Sequence, residues 1–263
     1  MLIKELGVSG GRSPKTPSVK LPDAQCTAAE SSELLNATET TRYRSSLMRC
    51  KYLDQDRVDI TETVKSLAQK MSAPRAGHMD QLMQLARYLR ANPRHELRYP
   101  RQCRNRRSNL FGYSDSDWAG DRTTRRSTTG LVVMRGSHLL RHQSTLQGAI
   151  ALSSAEAEYY ALGSTAAYCL GVQSYFRDWQ IELAVTCYSD SSSGLSFASR
   201  RGLGRTRHVE TRFLWLQERV ALKHIRILKV NTCENPADVL TKPLSYAELV
   251  KHLKRLGEAV VVL

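Results

Sequence analysis

Apolar residues recur at helical spacing in the first part of the chain. Ile60, Val64, Leu67 and Met71 step by three and four, and after Pro74 a second set runs through Met79, Leu82, Leu85 and Leu89. Two or more helices are expected between Arg42 and about Leu97. Ahead of them, Gly10-Gly11-Arg12-Ser13-Pro14-Lys15-Thr16-Pro17 and then Pro22 break a stretch with little apolar periodicity before Leu34. Residues 1–40 therefore read as a linker or as a disordered remnant of something larger.

After Asn109 the period changes. Residues 110–117 alternate as a strand, 130–134 and 137–143 read as a hairpin, and 154–176 as one long helix. A short strand at 185–190 follows, then helical stretches at 194–199 and 211–222, a strand at 224–230 and a helix from Pro236 onward. Three strands, a helix, a strand, more helix, a strand and a last helix predict an α/β fold, a mixed sheet flanked by helices over residues 110–263. A small helical segment at 41–109 precedes it. Trp118, Trp179 and Trp215 are expected in the core, where side chains of that size usually pack.

With 41% hydrophobic and 24% charged residues among 263, a wholly disordered chain is excluded. The longest apolar run, residues 259–263, is far below the roughly 20 residues that cross a bilayer, and the N-terminus lacks the apolar core of a signal peptide. The expectation is an intracellular protein, cytoplasmic or nuclear, with no membrane partner. Six cysteines show no Cys-x-x-Cys pair and no zinc spacing, so they read as reduced thiols. Lys and Arg number 39 against 25 acids, a net charge of +14, which points to a polyanionic partner. The run Arg87, Arg90, Arg94, Arg98, Arg101, Arg104, Arg106 and Arg107, against the single acid Glu96, is either a solvated face or a phosphate contact.

Four carboxylates stand where such a fold would not ordinarily want them. Asp115 and Asp117 share one face of the first strand, about 7 Å apart, and alternation cannot choose between them. Both could instead open a turn into Gly120. Ser153 and Glu156 fit a capping box, which gives Glu156 a structural role. Glu158 stands in line with Leu162, Ala166 and Cys169, the stripe that should face the sheet, and a carboxylate there is costly unless a positive group meets it. Asp190 ends a strand and could cap the next helix. Asp238 follows Asn235 and Pro236 in the first turn of a helix start, a place the helix dipole favours. All four nonetheless fall at strand ends or helix starts of one sheet, the edge where open α/β folds gather their sites. Oxygen ligands select hard cations, Mg²⁺ or Mn²⁺, and a pair of them is the clamp for in-line phosphodiester displacement.

The segments Gly112-Tyr113-Ser114-Asp115-Ser116-Asp117-Trp118-Ala119-Gly120-Asp121, Leu152-Ser153-Ser154-Ala155-Glu156-Ala157-Glu158-Tyr159, Tyr188-Ser189-Asp190, Arg205-Thr206-Arg207-His208-Val209-Glu210 and Asn235-Pro236-Ala237-Asp238-Val239-Leu240-Thr241-Lys242-Pro243-Leu244 resemble, in order, the ribonuclease H domain that closes the polyprotein of copia-type LTR retrotransposons. The resemblance covers about residues 110–256. It implies an RNase H fold and a tetrad of Asp115, Glu158, Asp190 and Asp238 that binds two Mg²⁺ ions, or Mn²⁺, and cuts the RNA strand of an RNA–DNA hybrid with no small-molecule cofactor. It selects Asp115 over Asp117. Arg125, Arg126, Ser127 and Thr128, with Arg205 and Arg207, are candidates for substrate contact, to phosphate rather than base.

Upstream, Tyr43-Arg44-Ser45-Ser46-Leu47, Tyr52-Leu53, Asp59-Ile60 and Ala86-Arg87-Tyr88-Leu89-Arg90 resemble the tail of the same element's reverse transcriptase, so the rest of that enzyme is a candidate partner. The polymerase signature Tyr-x-Asp-Asp is absent, and no polymerisation is expected from this fragment. The loop Asn231-Thr232-Cys233-Glu234-Asn235 lacks the histidine that many RNase H members carry before the last aspartate, and His208 reads as structural or substrate-adjacent. Two rivals stand beside the nuclease reading. One is a binding remnant that has lost cleavage; the other is a two-metal enzyme of the integrase or resolvase kind that cuts DNA.

Overall fold

The computed structural model describes residues 6–8, 10, 13–19, 22–103, 107–202 and 211–260. Two compact units divide them: one takes Met1–Leu97 with Lys242–Lys254 and Glu258–Leu263, the other Arg98–Thr241 with Arg255–Gly257.

The first unit holds helices α1 (Asp23–Ser31), α2 (Ala37–Leu53), α3 (Val58–Ala68) and α4 (Ala76–Ala91). Asn36 starts α2 with a full capping box, its side chain accepting from the Glu39 N–H while Glu39 accepts from the Asn36 N–H. The predicted apolar sets become the core: Ile60, Val64 and Leu67 from α3 meet Leu82, Leu85 and Leu89 from α4, with Tyr43, Leu47 and Cys50 from α2. Leu6 and Val8 are buried in the same cluster. A two-stranded antiparallel sheet pairs β1 (His95–Leu97) with β7 (Glu258–Val260) across most of the chain's length.

That pairing is fastened by a buried polar network. Arg57 donates twice to Asp59, at 2.9 and 2.7 Å, and the Tyr88 hydroxyl donates to the same carboxylate at 2.7 Å. His95 Nδ1 lies 2.5 Å from Glu258 Oε1, and the Val58 N–H donates to Glu258 Oε2 at 3.0 Å. Burial works to raise the Asp59 pKa, but the Arg57 guanidinium outweighs it and holds the group below the usual range. Glu258, set behind them, is pushed up to about 7 by burial and by the Asp59 charge.

In the second unit, five strands lie in the order β4 (His138–Leu146), β3 (Thr128–Arg135), β2 (Asn109–Asp117), β5 (Ala184–Ser189) and β6 (Arg226–Lys229). The first three form an antiparallel meander, whereas β5 runs parallel to β2 and β6 parallel to β5. Helix α5 (Ser154–Asp178) covers one face, followed in sequence by α6 (Ser192–Ser199) and α7 (Thr211–Ala221). This is the α/β mixed sheet flanked by helices that the pattern predicted. Leu110, Leu131, Val133, Val185 and Cys187 from the strands pack with Ala157, Leu162, Ala166 and Cys169 of α5. Gly112 permits the close approach, since a Cβ there would lie 2.7 Å from Thr165 Cγ2 and 2.8 Å from Cys169 Sγ.

Two expectations are corrected. The segment after Pro236 is not one helix: a 3₁₀ turn spans Pro236–Leu240 and α8 (Tyr246–Arg255) begins only after Pro243, because a proline removes a donor and turns the residue before it out of the helical region. Trp118 and Trp179 are 48% and 60% exposed, and only Trp215 packs against the core. Trp118 lies at the rim with its ring N–H donating to the Ala151 carbonyl, and Trp179 rests on Tyr175 at 4.8 Å between centroids.

Candidate metal centre

Three elements bring their acids to one place. Asp115 sits near the C-terminal end of β2, paired across the ladder with Gly130 of β3. Glu158 lies in the second turn of α5, on the stripe pressed to the sheet, and Asp190 directly follows β5. One carboxylate oxygen from each of Asp115, Glu158 and Asp190 lies within 4.8 Å of the others. Asp115 and Glu158 are buried and Asp190 half-buried.

The helix that carries Glu158 is started by Ser153, whose side chain accepts from the Glu156 N–H at 3.2 Å. Glu156 does not complete the expected box; it reaches one residue further and accepts from the Leu152 N–H at 3.0 Å, with the Tyr160 hydroxyl donating to its other oxygen. Gln147 fastens the same helix start, its side-chain N–H group donating to the Ala157 carbonyl at 2.9 Å. Asp190 is not a helix cap: Ser191 takes that role on α6 by accepting from the Gly194 N–H. Gly194 in turn lets α6 lie against Glu158, whose Cβ a side chain there would meet at 3.2 Å.

The polar contacts of Glu158 are one-sided. Oε1 accepts from the Ser116 N–H at 3.1 Å and from the Ser116 hydroxyl at 2.9 Å. Oε2 is buried and has no hydrogen-bond partner among the described residues. Burial first, and then the charge of Asp115, push the Glu158 carboxyl up to about 8 despite the bonds from Ser116. An all-oxygen donor set with one buried, unpartnered oxygen and mutually repelling charges fits a hard divalent cation. A second grouping, Asp59, His95 and Glu258, also has ligand atoms within 4.8 Å, but there a guanidinium already supplies the positive charge.

Asp238 lies beside this cluster without joining the set within 4.8 Å. It is buried on the 3₁₀ turn, whose position is set by Asn235: the side-chain N–H group donates to the Ser114 carbonyl at 2.9 Å, and the side-chain oxygen accepts from the Ala237 N–H. Asp117 points elsewhere, over Gly120, where a Cβ would collide with its carboxylate.

Of the substrate-contact candidates, Arg125 and Arg126 are exposed on the loop between β2 and β3, Arg125 in the left-handed region at φ 57°. Ser127 is fully buried, and its hydroxyl accepts from the Ala119 N–H at 3.1 Å, so it organises that loop from within. Thr128 is also buried. Arg205, Arg207 and His208 lie outside the described residues. Sequence reasoning did not single out Ser116, Asn235 or Thr241 as parts of the centre, although Asn before Pro236 is a visible cap signal.

The chain is 34% identical over 202 residues, 75% of its length, to the retrovirus-related Pol polyprotein from transposon TNT 1-94 of Nicotiana tabacum. It is 29% identical over 223 residues to the corresponding polyprotein from transposon RE1 of Arabidopsis thaliana. Its homologues are retrovirus-related Pol polyproteins of plant transposons. The chain spans 15% of the length of each of these two relatives. No protein-family model matches it. Among solved structures, the N-terminal RNase H domain of a Mycobacterium tuberculosis protein is 17% identical, covers 51% of this chain and 91% of its own, and gives a TM-score of 0.36. LC11-RNase H1 in complex with an RNA/DNA hybrid is 17% identical, covers 51% of this chain and 94% of its own, and gives 0.35. Among the described residues no helix is long and apolar enough to cross a membrane.

Proposed function

We propose that the second unit of this Pol homologue is a metal-dependent endonuclease that hydrolyses the RNA strand of RNA–DNA hybrids. The observation that carries the proposal is the grouping of Asp115, Glu158 and Asp190, one carboxylate oxygen of each within 4.8 Å of the others, with Oε2 of Glu158 buried and without a hydrogen-bond partner among the described residues. Asp115, Glu158 and Asp190 would hold Mg²⁺, with Asp238 as the fourth acid and Mn²⁺ as the substitute ion. When bound, such a pair of ions lowers the pKa of a water to make the nucleophile and offsets charge on the leaving oxygen.

The chain's own residues then have defined tasks. Ser116 occupies one oxygen of Glu158 and leaves the other for the cation. Asn235 pins the turn bearing Asp238 to β2. Arg125 and Arg126, exposed beside β2, would contact backbone phosphate, as would Arg205 and Arg207. Preference for a hybrid rests on contact with 2′-hydroxyls across a wide minor groove. Residues 41–109, by their resemblance, are the tail of a reverse transcriptase, and the remainder of that polyprotein is the partner.

The test is cleavage of a strand-labelled hybrid, beside DNA and RNA duplexes, with Mg²⁺, with EDTA, and by Asp190→Asn. The expected result is RNA-strand cutting of the hybrid alone, giving 5′-phosphate and 3′-hydroxyl ends, only with metal and only by the unsubstituted chain. Hybrid binding without cutting in Mg²⁺ or Mn²⁺ would make it a binding remnant, and cutting of DNA duplex would make it a two-metal enzyme of another class.

A further inference from the structure

Thr241 stands three residues after Asp238, and in a 3₁₀ turn of three residues per turn that spacing brings the two onto one side. Its hydroxyl lies at hydrogen-bonding distance from two acceptors, the Asp115 Oδ2 carboxylate oxygen and, at 3.2 Å, the Asp238 carbonyl. A hydroxyl has one proton to donate, and the charged acceptor makes the stronger bond, so the proton goes to Asp115. The residue is 2% exposed, so water does not compete for that bond.

The other branch of Thr241 is also committed. Its Cγ2 would lie 2.8 Å from a Cβ at Gly130, the residue paired with Asp115 across the β2–β3 ladder. Only glycine at that position lets the turn settle so close. The turn is held from two further sides, by Asn235 donating to the Ser114 carbonyl and by the Ser144 hydroxyl donating to the Leu240 carbonyl at 2.5 Å. Strands β2, β3 and β4 therefore fix where Thr241 stands, and its hydroxyl is the described bond that runs from this turn directly to a carboxylate of the metal cluster.

We infer that Thr241 is a positioning residue for the metal centre: its hydroxyl sets the rotation of the Asp115 carboxylate and ties it to the turn that carries Asp238. The inference rests on the metal-dependent nuclease reading given above. It explains why the turn is clamped so tightly, since a slack turn would let Asp115 rotate away from Glu158 and Asp190. Partners that orient a ligating carboxylate typically contribute 10–100-fold in metal affinity or activity.

Thr241 offers two substitutions that separate its branches. Thr241→Val keeps the shape against Gly130 and removes the hydroxyl; Thr241→Ser keeps the hydroxyl and removes the methyl. Mn²⁺ affinity of the full chain, measured by the decrease in the electron paramagnetic resonance signal of free Mn²⁺, is expected to fall by about 10-fold or more in the valine variant and to stay close to the unsubstituted value in the serine variant. The half-saturating Mg²⁺ for hybrid cleavage is expected to rise in the same order, with the KM for hybrid unchanged. Melting in EDTA checks that both variants are folded. A purely structural residue gives the reverse order, serine worse than valine, and that order, or a valine variant that binds Mn²⁺ like the unsubstituted chain, overturns the inference. If the unsubstituted chain binds Mn²⁺ but cuts nothing, the nuclease reading fails alone, and the Mn²⁺ order of the two variants still decides the role of Thr241. If it binds no Mn²⁺ at all, the inference fails with it.

Discussion

Glu158→Gln is expected to make the metal-free protein more stable while making it unable to respond to metal. Glutamine keeps Oε1 as the acceptor of the Ser116 N–H and hydroxyl, at 3.1 and 2.9 Å, and turns the unpartnered Oε2 into an amide that can donate toward Asp115 or Asp190. The carboxyl of Glu158 is raised from 4.5 to about 8, chiefly by burial and next by Asp115. For an acid whose folded pKa lies above its unfolded one, the folded state binds the extra proton, so stability falls as pH rises from 4.5 through about 8 and is level above that. At about 1.4 kcal/mol for each pKa unit, the ceiling on the cost of the ionised group is about 5 kcal/mol. Part of that is repulsion shared with Asp115 and Asp190, so about 2 kcal/mol is the expected gain at pH 8, or roughly 5 °C in melting temperature for a protein of this size. The assay is thermal unfolding in EDTA from pH 5 to 9, repeated with excess Mg²⁺. The unsubstituted chain should lose stability with rising pH in EDTA and regain it with Mg²⁺, because a ligand that binds only the folded state stabilises it. The variant should lose the Mg²⁺ response and the part of the pH dependence that runs up to about pH 8, and should keep the part below about pH 7 that belongs to Glu258. A variant less stable than the unsubstituted chain at pH 8 in EDTA, or one that Mg²⁺ stabilises equally, would refute the reasoning, because the buried carboxylate would then be a structural acceptor.

Gly130→Ala should lower the melting temperature and weaken Mg²⁺ binding together, since its Cβ would lie 2.8 Å from both the Ala237 carbonyl oxygen and Thr241 Cγ2; overpacking of this kind costs about 1–3 kcal/mol. Gly148→Ala, with nothing within 4 Å of the added carbon, is the control for the same melting series. In the first unit, Glu258 is raised from 4.5 to about 7, so its contribution to stability falls as pH rises across that interval, by a ceiling of about 3 kcal/mol. Glu258→Gln should flatten this part of the stability profile, and an unchanged slope in denaturant melts would place the titration elsewhere. Tyr88→Phe removes the hydroxyl that donates to Asp59 at 2.7 Å and should cost about 1–3 kcal/mol in the same melts; no loss would mean that Arg57 alone satisfies that carboxylate.

The contrast between these two polar clusters shows which parts of the molecule can be read from sequence. Elements with strong periodicity emerged within a few residues of their predicted bounds, β2 at Asn109–Asp117 and α5 at Ser154–Asp178, and the apolar set Met79, Leu82, Leu85 and Leu89 lies on α4 at Ala76–Ala91. Glu158 was legible because a carboxylate on an apolar helical stripe contradicts its surroundings, and the contradiction is local. Alternation could not separate Asp115 from Asp117, since it puts both on one face; the resemblance chose Asp115, and in the fold the turn at Gly120 draws Asp117 aside. Asp190 looked like a helix cap because the serine after it can do the same work, and Ser191 does. The last helix was read too early because an Asn cap followed by Pro suits a 3₁₀ turn as well as an α-helix, and the interruption at Pro243 decided the outcome. The Asp59–Glu258 network joins residues about 200 positions apart, and no local pattern can announce it. Thr241 lies between these extremes. The spacing Asp-x-x-Thr is plain in the chain, yet its meaning depends on Gly130 leaving room for the methyl and Asn235 holding the turn against Ser114, facts of two other strands. A proposed ligand can betray itself by being out of place, whereas the residue proposed to orient it is a threonine in an unremarkable turn until the tertiary structure brings its hydroxyl to the carboxylate.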